Sequence, residues 1–208
     1  MILHTVPVLF QWFFPKRLWA KGAGENTVYL TFDDGPVPGV TDYVLGELAK
    51  RNQKATFFVV GDNVRKNPEL AHEILSEGHK LGNHTFNHLN GWKTENSAYF
   101  KNIERCDQAL GDLLGLKTKL FRPPYGLIKS SQAVEVSKLH QIVMWSMLSG
   151  DYDQSMKPEG ILKNAKKYTS DGTIAVFHDQ LKTKEVIPKI LPPYLDYIQH
   201  MGWKTGVL

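Results

Sequence analysis

Short runs of β-branched and aromatic residues alternate with stretches of helical periodicity along most of this chain, and that alternation narrows its fold more than any other feature. Thr27–Phe32, Ala55–Val60, Leu120-Phe121, Ile142–Trp145 and Thr173–Phe177 read as strands, with His79–Asn83 as a further short one. Between them lie helix signals. Val40, Val44, Leu45 and Leu48 fall on one helical face. Asn67-Pro68 opens a helix with a cap residue and a proline at its first position, and Gly78 closes it. Longer helices are predicted over Thr94–Leu114, ending near Gly115, and over Glu159–Tyr168. A closing helix runs from about Lys184 to His200, bent around Pro192-Pro193. Such a pattern predicts parallel β/α units in an α/β protein, as a closed barrel or an open doubly wound sheet.

With 208 residues the chain fits a single domain, and its 42% hydrophobic content supplies an ordinary core. A formal charge of +4 comes without any Lys/Arg block; Lys163, Lys166 and Lys167 read as a solvated helix face. Nucleic acid is therefore not an expected partner, and an anionic polymer is equally compatible with the charge. The single cysteine, Cys106, excludes an intramolecular disulfide and reads as a small buried residue. Residues 1–22 are apolar and aromatic but interrupted by His4, Pro7, Gln11 and Pro15, too broken for a spanning helix. They lack a basic start and an Ala-x-Ala site, so a cleavable signal is not expected, which leaves a cytoplasmic or envelope-associated location. The segment is read as packed on the domain, with peripheral membrane contact through Lys16 and Arg17 as the alternative. Residues 23–208 form the remaining domain. Oligomeric state has no signature here.

Polar residues recur where the strands end. Asp33 and Asp34 follow the run to Phe32, and Gly35-Pro36 breaks the strand there. Asp-Gly is also an ordinary turn dipeptide. Neighbouring residues on an extended chain point in opposite directions, so the two carboxylates are expected in different environments, one for a metal and one for a proton. His84 and His88 are spaced i, i+4, which on a helical turn aligns both imidazoles on one ion. Asp34 supplies a third ligand, in a set with open positions for water or substrate. Two imidazoles and a carboxylate suit Zn2+, and Co2+ or Ni2+ would also bind. Asp33 is then the candidate base.

Arg122, in Arg122-Pro123-Pro124-Tyr125-Gly126, offers a rigid fork for a carboxylate, and the stiffened loop can aim the Tyr125 N–H at a developing oxyanion. The bland alternative is a proline-stiffened surface loop. His178 ends the last apolar run and reads either as a core histidine or, paired with Asp151, as a general acid held in one tautomer. Trp145 and Tyr152 are candidates for a sugar-facing wall, with burial in the core the favoured reading for Trp145.

The ordered series Thr31–Pro36, His84–His88, Arg122–Gly126, Asp151-Tyr152 and Val176–His178 resembles the polysaccharide deacetylase family, the NodB-homology domain of carbohydrate esterase family 4. The resemblance implies a distorted (β/α) barrel with fewer than eight regular repeats in a single domain. It implies Asp33 as catalytic base, Asp34, His84 and His88 as metal ligands, Arg122 as the tether of the base, and the Tyr125 N–H at the oxyanion. His178 matches the catalytic acid and Asp151 its orienting partner. Tyr152 departs from the tryptophan the family usually has there, which bears on pocket shape. The implied activity is metal-dependent removal of N-acetyl groups from N-acetylglucosamine-containing glycans of peptidoglycan or chitooligosaccharide type. The alternatives are a deacetylase of an O-acetyl ester or small amide on the same site, and a non-catalytic carbohydrate-binding module.

Overall fold

The computed structural model describes residues 4–208; Met1, Ile2 and Leu3, the opening of the apolar segment, lie outside the described residues, as do the side chains of Val8 and Phe10. Eight strands are β1 Thr27–Asp33, β2 Thr56–Val59, β3 Lys80–Asn83, β4 Leu120–Phe121, β5 Gln141–Ile142, β6 Met147–Leu148, β7 Ile174–His178 and β8 Lys204–Thr205. The helices are α1 Val8–Trp12, α2 Thr41–Ala49, α3 Gly61–Lys66, α4 Pro68–Ser76, α5 Asn96–Leu114, α6 Ser130–Val136, α7 Pro158–Tyr168 and α8 Ile187–His200. The strand order is β5-β4-β3-β2-β1-β7-β6, every pairing is parallel, and β8 adds to β1. The sheet curls into a distorted (β/α) half-barrel whose edges, β5 and β6, are consecutive in the chain.

Register decides where the polar residues meet. Asp33 stands level with Phe58 on one neighbour and with His178 on the other. Val59 pairs with Asn83, and Asn83 with Phe121, so His84 and Arg122 leave their strands at the same rim. Parallel pairing brings every strand's carboxyl end to one face, which is why sites of such folds gather there.

Period-two alternation sorts β1 between two cores. Val28, Leu30 and Phe32 face the helices, in one cluster with Val44, Leu45 and Leu48 of α2 and Ile190, Leu191 and Tyr194 of α8. Phe32 stacks on Phe57 at 5.1 Å and meets Phe177 at 6.1 Å. Each such buried side chain contributes about 1.5–3 kcal/mol. Tyr29 faces the inside of the curl, with Phe58, Val143 and Ile174.

Several sequence expectations shift here. Ile142–Trp145 is not one strand: β5 stops at Ile142, and the chain crosses the gap between the two sheet edges before β6 begins at Met147. The apolar segment lies along that gap, bridging Thr5 to Met147, Leu18 to Val143 and Ala20 to Thr173. Leu9, Trp12 and Phe13 remain exposed on it. Among the described residues no helix is long and apolar enough to cross a membrane. Asn67 holds the N-cap position of α4 with Pro68 following, as expected, but its side chain makes no capping bond; its amide donates to the Pro36 and Asn63 carbonyls instead. α8 runs as one helix through Pro192 and Pro193. The prolines remove two helical hydrogen bonds, and burial of Ile187, Ile190, Leu191, Tyr194, Leu195 and Ile198 offsets that loss.

Candidate active site

A cavity of about 540 Å³ opens at the carboxyl rim, lined by Asp33, Asp34, His84, His88, Tyr125, Trp145, Leu148, Tyr152 and His178 among others. β1 ends at Asp33, whose carboxylate is buried. Asp34 has φ 83, and this left-handed turn swings its carboxylate into the same cavity. The expectation of separate environments is therefore corrected: alternation stops with the strand, and the two acids differ in their partners rather than in their cavity.

The Gly35-Pro36 peptide is cis. The loop is strapped from several sides. Asp34 N–H donates to Phe58 O at 3.1 Å, Asn63 Nδ2 donates to Asp34 O at 2.7 Å, and Gly35 N–H donates to Asp179 Oδ1 at 3.1 Å. Asp179, fully buried, also accepts from the Thr41 hydroxyl at 2.6 Å. Burial raises its carboxyl to about 7, against the lowering by Thr41 and with the help of Asp34.

Asp33 Oδ1 receives Arg122 Nη1 at 2.6 Å. Arg122 is wholly buried inside the curl, where it also donates to Thr31 Oγ1 at 2.7 Å and Met144 O at 2.9 Å, with its guanidinium 4.1 Å from the centre of the Phe58 ring. Burial lowers the guanidinium pKa, and Asp33 counters it. An isolated charge would be expensive here; the carboxylate and the carbonyls compensate it. The surface-loop alternative is thereby excluded for the arginine.

His84 and His88 come together without a helix. Residues 84–88 form a loop in which Thr85 has φ 62 and His88 φ 56, so the helical-turn reading of the spacing is corrected. Asn83 Oδ1 accepts from Thr85 N–H at 2.7 Å, and Asn102 Oδ1 accepts from Phe86 and Asn87 N–H. The loop is thus tied to α5, with Asn83 Nδ2 also reaching Asp107 at 2.7 Å.

His84 Nδ1–H donates to Arg122 O at 2.7 Å, so that in the neutral ring Nε2 carries the lone pair. That Nε2 is 3.4 Å from Asp34 Oδ1, and His88 Nε2 is 3.0 Å from the same oxygen. Asp34 Oδ1 is buried and accepts no hydrogen bond from the described residues. Burial raises the Asp34 carboxyl, and protonated imidazoles would pull it well below the ordinary range. With the His84 proton committed to Arg122, converging acceptors remain, an arrangement that a cation satisfies. The three ligand atoms lie within 4.8 Å of one another, as donors sharing one ion do. The residues fit a divalent metal.

Across the cavity, His178 Nδ1 is 2.7 Å from Asp151 Oδ1, and Asp151 Oδ2 accepts the His178 N–H at 2.8 Å. Ser149 Oγ donates to Asp151 at 2.9 Å. Burial lowers the His178 imidazole, but Asp151 outweighs it, Asp34 and Asp33 add to it, and the group rises to about 9. Tyr125 has φ 61, its ring packs on His88 at 4.6 Å, and its N–H has no acceptor among the described residues. Tyr152 packs edge-on against His178 at 5.0 Å.

The eight catalytic and metal-ligand candidates from the sequence meet at this rim, and Trp145 and Tyr152 line the same cavity. Asp179, Asn83, Ser149 and Thr31, which hold them, were not singled out, although all four lie inside the sequence motifs or within two residues of them.

The model of the family described as polysaccharide deacetylase matches residues 20–145, more than half of the chain. A peptidoglycan-N-acetylglucosamine deacetylase of Listeria monocytogenes is 35% identical over 164 residues, 78% of this chain and 34% of that protein. This chain thus spans about a third of that relative's length. A peptidoglycan-N-acetylglucosamine deacetylase of Bacillus cereus is 32% identical over 180 residues, 84% of each chain. The crystal structure of the Bc1960 peptidoglycan N-acetylglucosamine deacetylase superposes with a TM-score of 0.84 at 29% identity, covering 98% of this chain and 95% of that one. The motifs, the half-barrel and these likenesses agree, and the chain belongs to the polysaccharide deacetylase family.

Proposed function

We propose that this protein is a metal-dependent hydrolase that removes N-acetyl groups from N-acetylglucosamine-containing glycans of the peptidoglycan or chitooligosaccharide type. The observation that carries this reading is the unpartnered, buried Asp34 Oδ1 facing His84 and His88 beside an arginine-held Asp33 and opposite the His178–Asp151 pair. The Listeria and Bacillus relatives, named for peptidoglycan N-acetylglucosamine deacetylation, support the substrate class.

Asp34, His84 and His88 would hold the ion, with Zn2+ the best match to two imidazoles and a carboxylate and Co2+ or Ni2+ also suited. When bound, it supplies Lewis acidity, polarising a carbonyl and acidifying water. Asp33 takes the proton of the attacking water through Oδ2, because Oδ1 is occupied by Arg122. The water oxygen bonds to the acetyl carbon, and the Tyr125 N–H donates to the oxygen that gains charge. His178, with Nδ1–H held by Asp151, gives the Nε2 proton to the amine as the C–N bond breaks. Acetate and the free amino sugar leave.

The test is acetate release from chitooligosaccharides and peptidoglycan by protein stripped with a chelator and reloaded with Zn2+, Co2+ or Ni2+. Release that depends on the added ion supports the reading. Ion-independent release, or none from either glycan, overturns it.

A further inference from the structure

Beside the catalytic cavity lies a second one of about 890 Å³. It is walled on one side by the apolar segment, with Val6, Phe14 and Trp19, and on the other by Ile128, Met144 and Trp145. Tyr125, Gly126, Trp145 and Leu148 border both cavities, so the two adjoin along the same rim. We propose that this second cavity binds an apolar aglycone, an aryl or alkyl group carried by the amino-sugar substrate. This rests on the deacetylase reading and names its substrate class as amphiphilic rather than a bare glycan.

The chemistry of the walls discriminates between occupants. A sugar ring carries hydroxyls around its edge, and each one buried without a partner costs about 1–3 kcal/mol. The polar side chains of this cavity stand among a majority of apolar ones, with Thr5 and Ser130 adding a hydroxyl each. Arg17 lies over the Phe14 ring at 4.2 Å, and Lys129 Nζ donates to Thr94 O at 2.9 Å. Trp19 Nε1 donates to Phe14 O at 3.2 Å. Walls that are mainly aromatic and aliphatic favour an apolar occupant, and the volume is that of sites for drug-sized ligands. At the mouth, Trp92 and Tyr125 are 62% and 61% exposed. Those faces suit the sugar from which the aglycone extends.

The experiment compares a methylumbelliferyl glycoside of tri-N-acetylchitotriose with tri-N-acetylchitotriose itself. Binding is measured by calorimetry on zinc-loaded Asp33→Asn protein, and acetate release on the wild type. The expected result is a Kd lower for the aryl glycoside by about tenfold or more, from the apolar surface it buries. Val6→Trp, which fills the cavity away from the catalytic residues, should bring the two ligands to parity and leave the plain trisaccharide unchanged. Equal affinity in the protein that keeps Val6 overturns the proposal before any cavity-filling variant is made. A preference for an N-octanoyl over an N-acetyl trisaccharide, with the aryl group ignored, also overturns it by placing an acyl chain there. If the aryl glycoside binds more tightly yet no acetate appears from either compound, the aglycone site stands and the deacetylase reading fails.

Discussion

The main-chain oxygen of Arg122 sits 2.7 Å from Nδ1 of His84, so the residue whose side chain holds Asp33 also sets the tautomer of a ligand-type histidine. One residue at the end of β4 thereby couples the proton-handling acid to the cation-facing imidazole. Orienting a ligand imidazole from its far nitrogen is how proteins fix its direction and basicity. The guanidinium is buried because from inside the curl it reaches Thr31 and Asp33 of β1 and the Val143 and Met144 carbonyls together.

Removing that side chain should therefore be costly. Arg122→Ala leaves Asp33 buried without its counter-charge, and the loss of stability is expected at about 3–5 kcal/mol. Urea unfolding followed by tryptophan fluorescence measures it. A loss below 1 kcal/mol would mean that the pair contributes little and that water replaces the guanidinium.

The two aspartates should separate by assay. Asp34→Ala and His84→Ala are expected to lose bound metal, measured by elemental analysis after gel filtration. Asp33→Asn is expected to retain it while kcat falls by about 10²–10⁴-fold. Full activity in Asp33→Asn would require another base.

His178 should titrate far above an ordinary histidine. In metal-free protein its imidazole is expected near 9 by NMR, and Asp151→Asn should bring it down steeply, since Asp151 is what overcomes burial. The sign follows from linkage: a raised folded-state value adds stability fully present below the unfolded value of 6.5 and lost as pH rises through about 9. The acid role predicts a falling alkaline limb in the rate profile, earlier in the metal-loaded protein because the cation opposes the imidazolium. A flat profile with chemistry rate-limiting would remove His178 from that role.

Gly35 has no room for a side chain. A Cβ there would collide with the Asp179 carboxylate, which accepts the Gly35 N–H. Gly35→Ala should cost about 1–3 kcal/mol by overpacking, seen as a lower Tm. Gly111→Ala, with nothing within 4 Å and a place inside α5, is the control and should not lower it. Equal behaviour of the two variants would show that the Asp179 contact yields freely.

Much of this protein was legible from composition and spacing alone. Alternating strand and helix signals determined the parallel α/β architecture, because periodicities of 2 and 3.6 are local properties of the chain. The order of Asp33-Asp34, His84/His88, Arg122, Asp151 and His178 at strand ends marked the candidate site, because parallel pairing sends those ends to one rim. The tertiary structure alone decided how these groups divide their partners. Asp34 turns back into the cavity through a left-handed φ, and a loop tied to Asn83 and Asn102, rather than a helical turn, brings His84 to His88. It also decided that β5 ends early and that the apolar segment lines the gap beyond it. Backbone turns held by distant side chains, and edges filled by a remote segment, depend on contacts between residues up to 160 positions apart. No local pattern in the sequence encodes them.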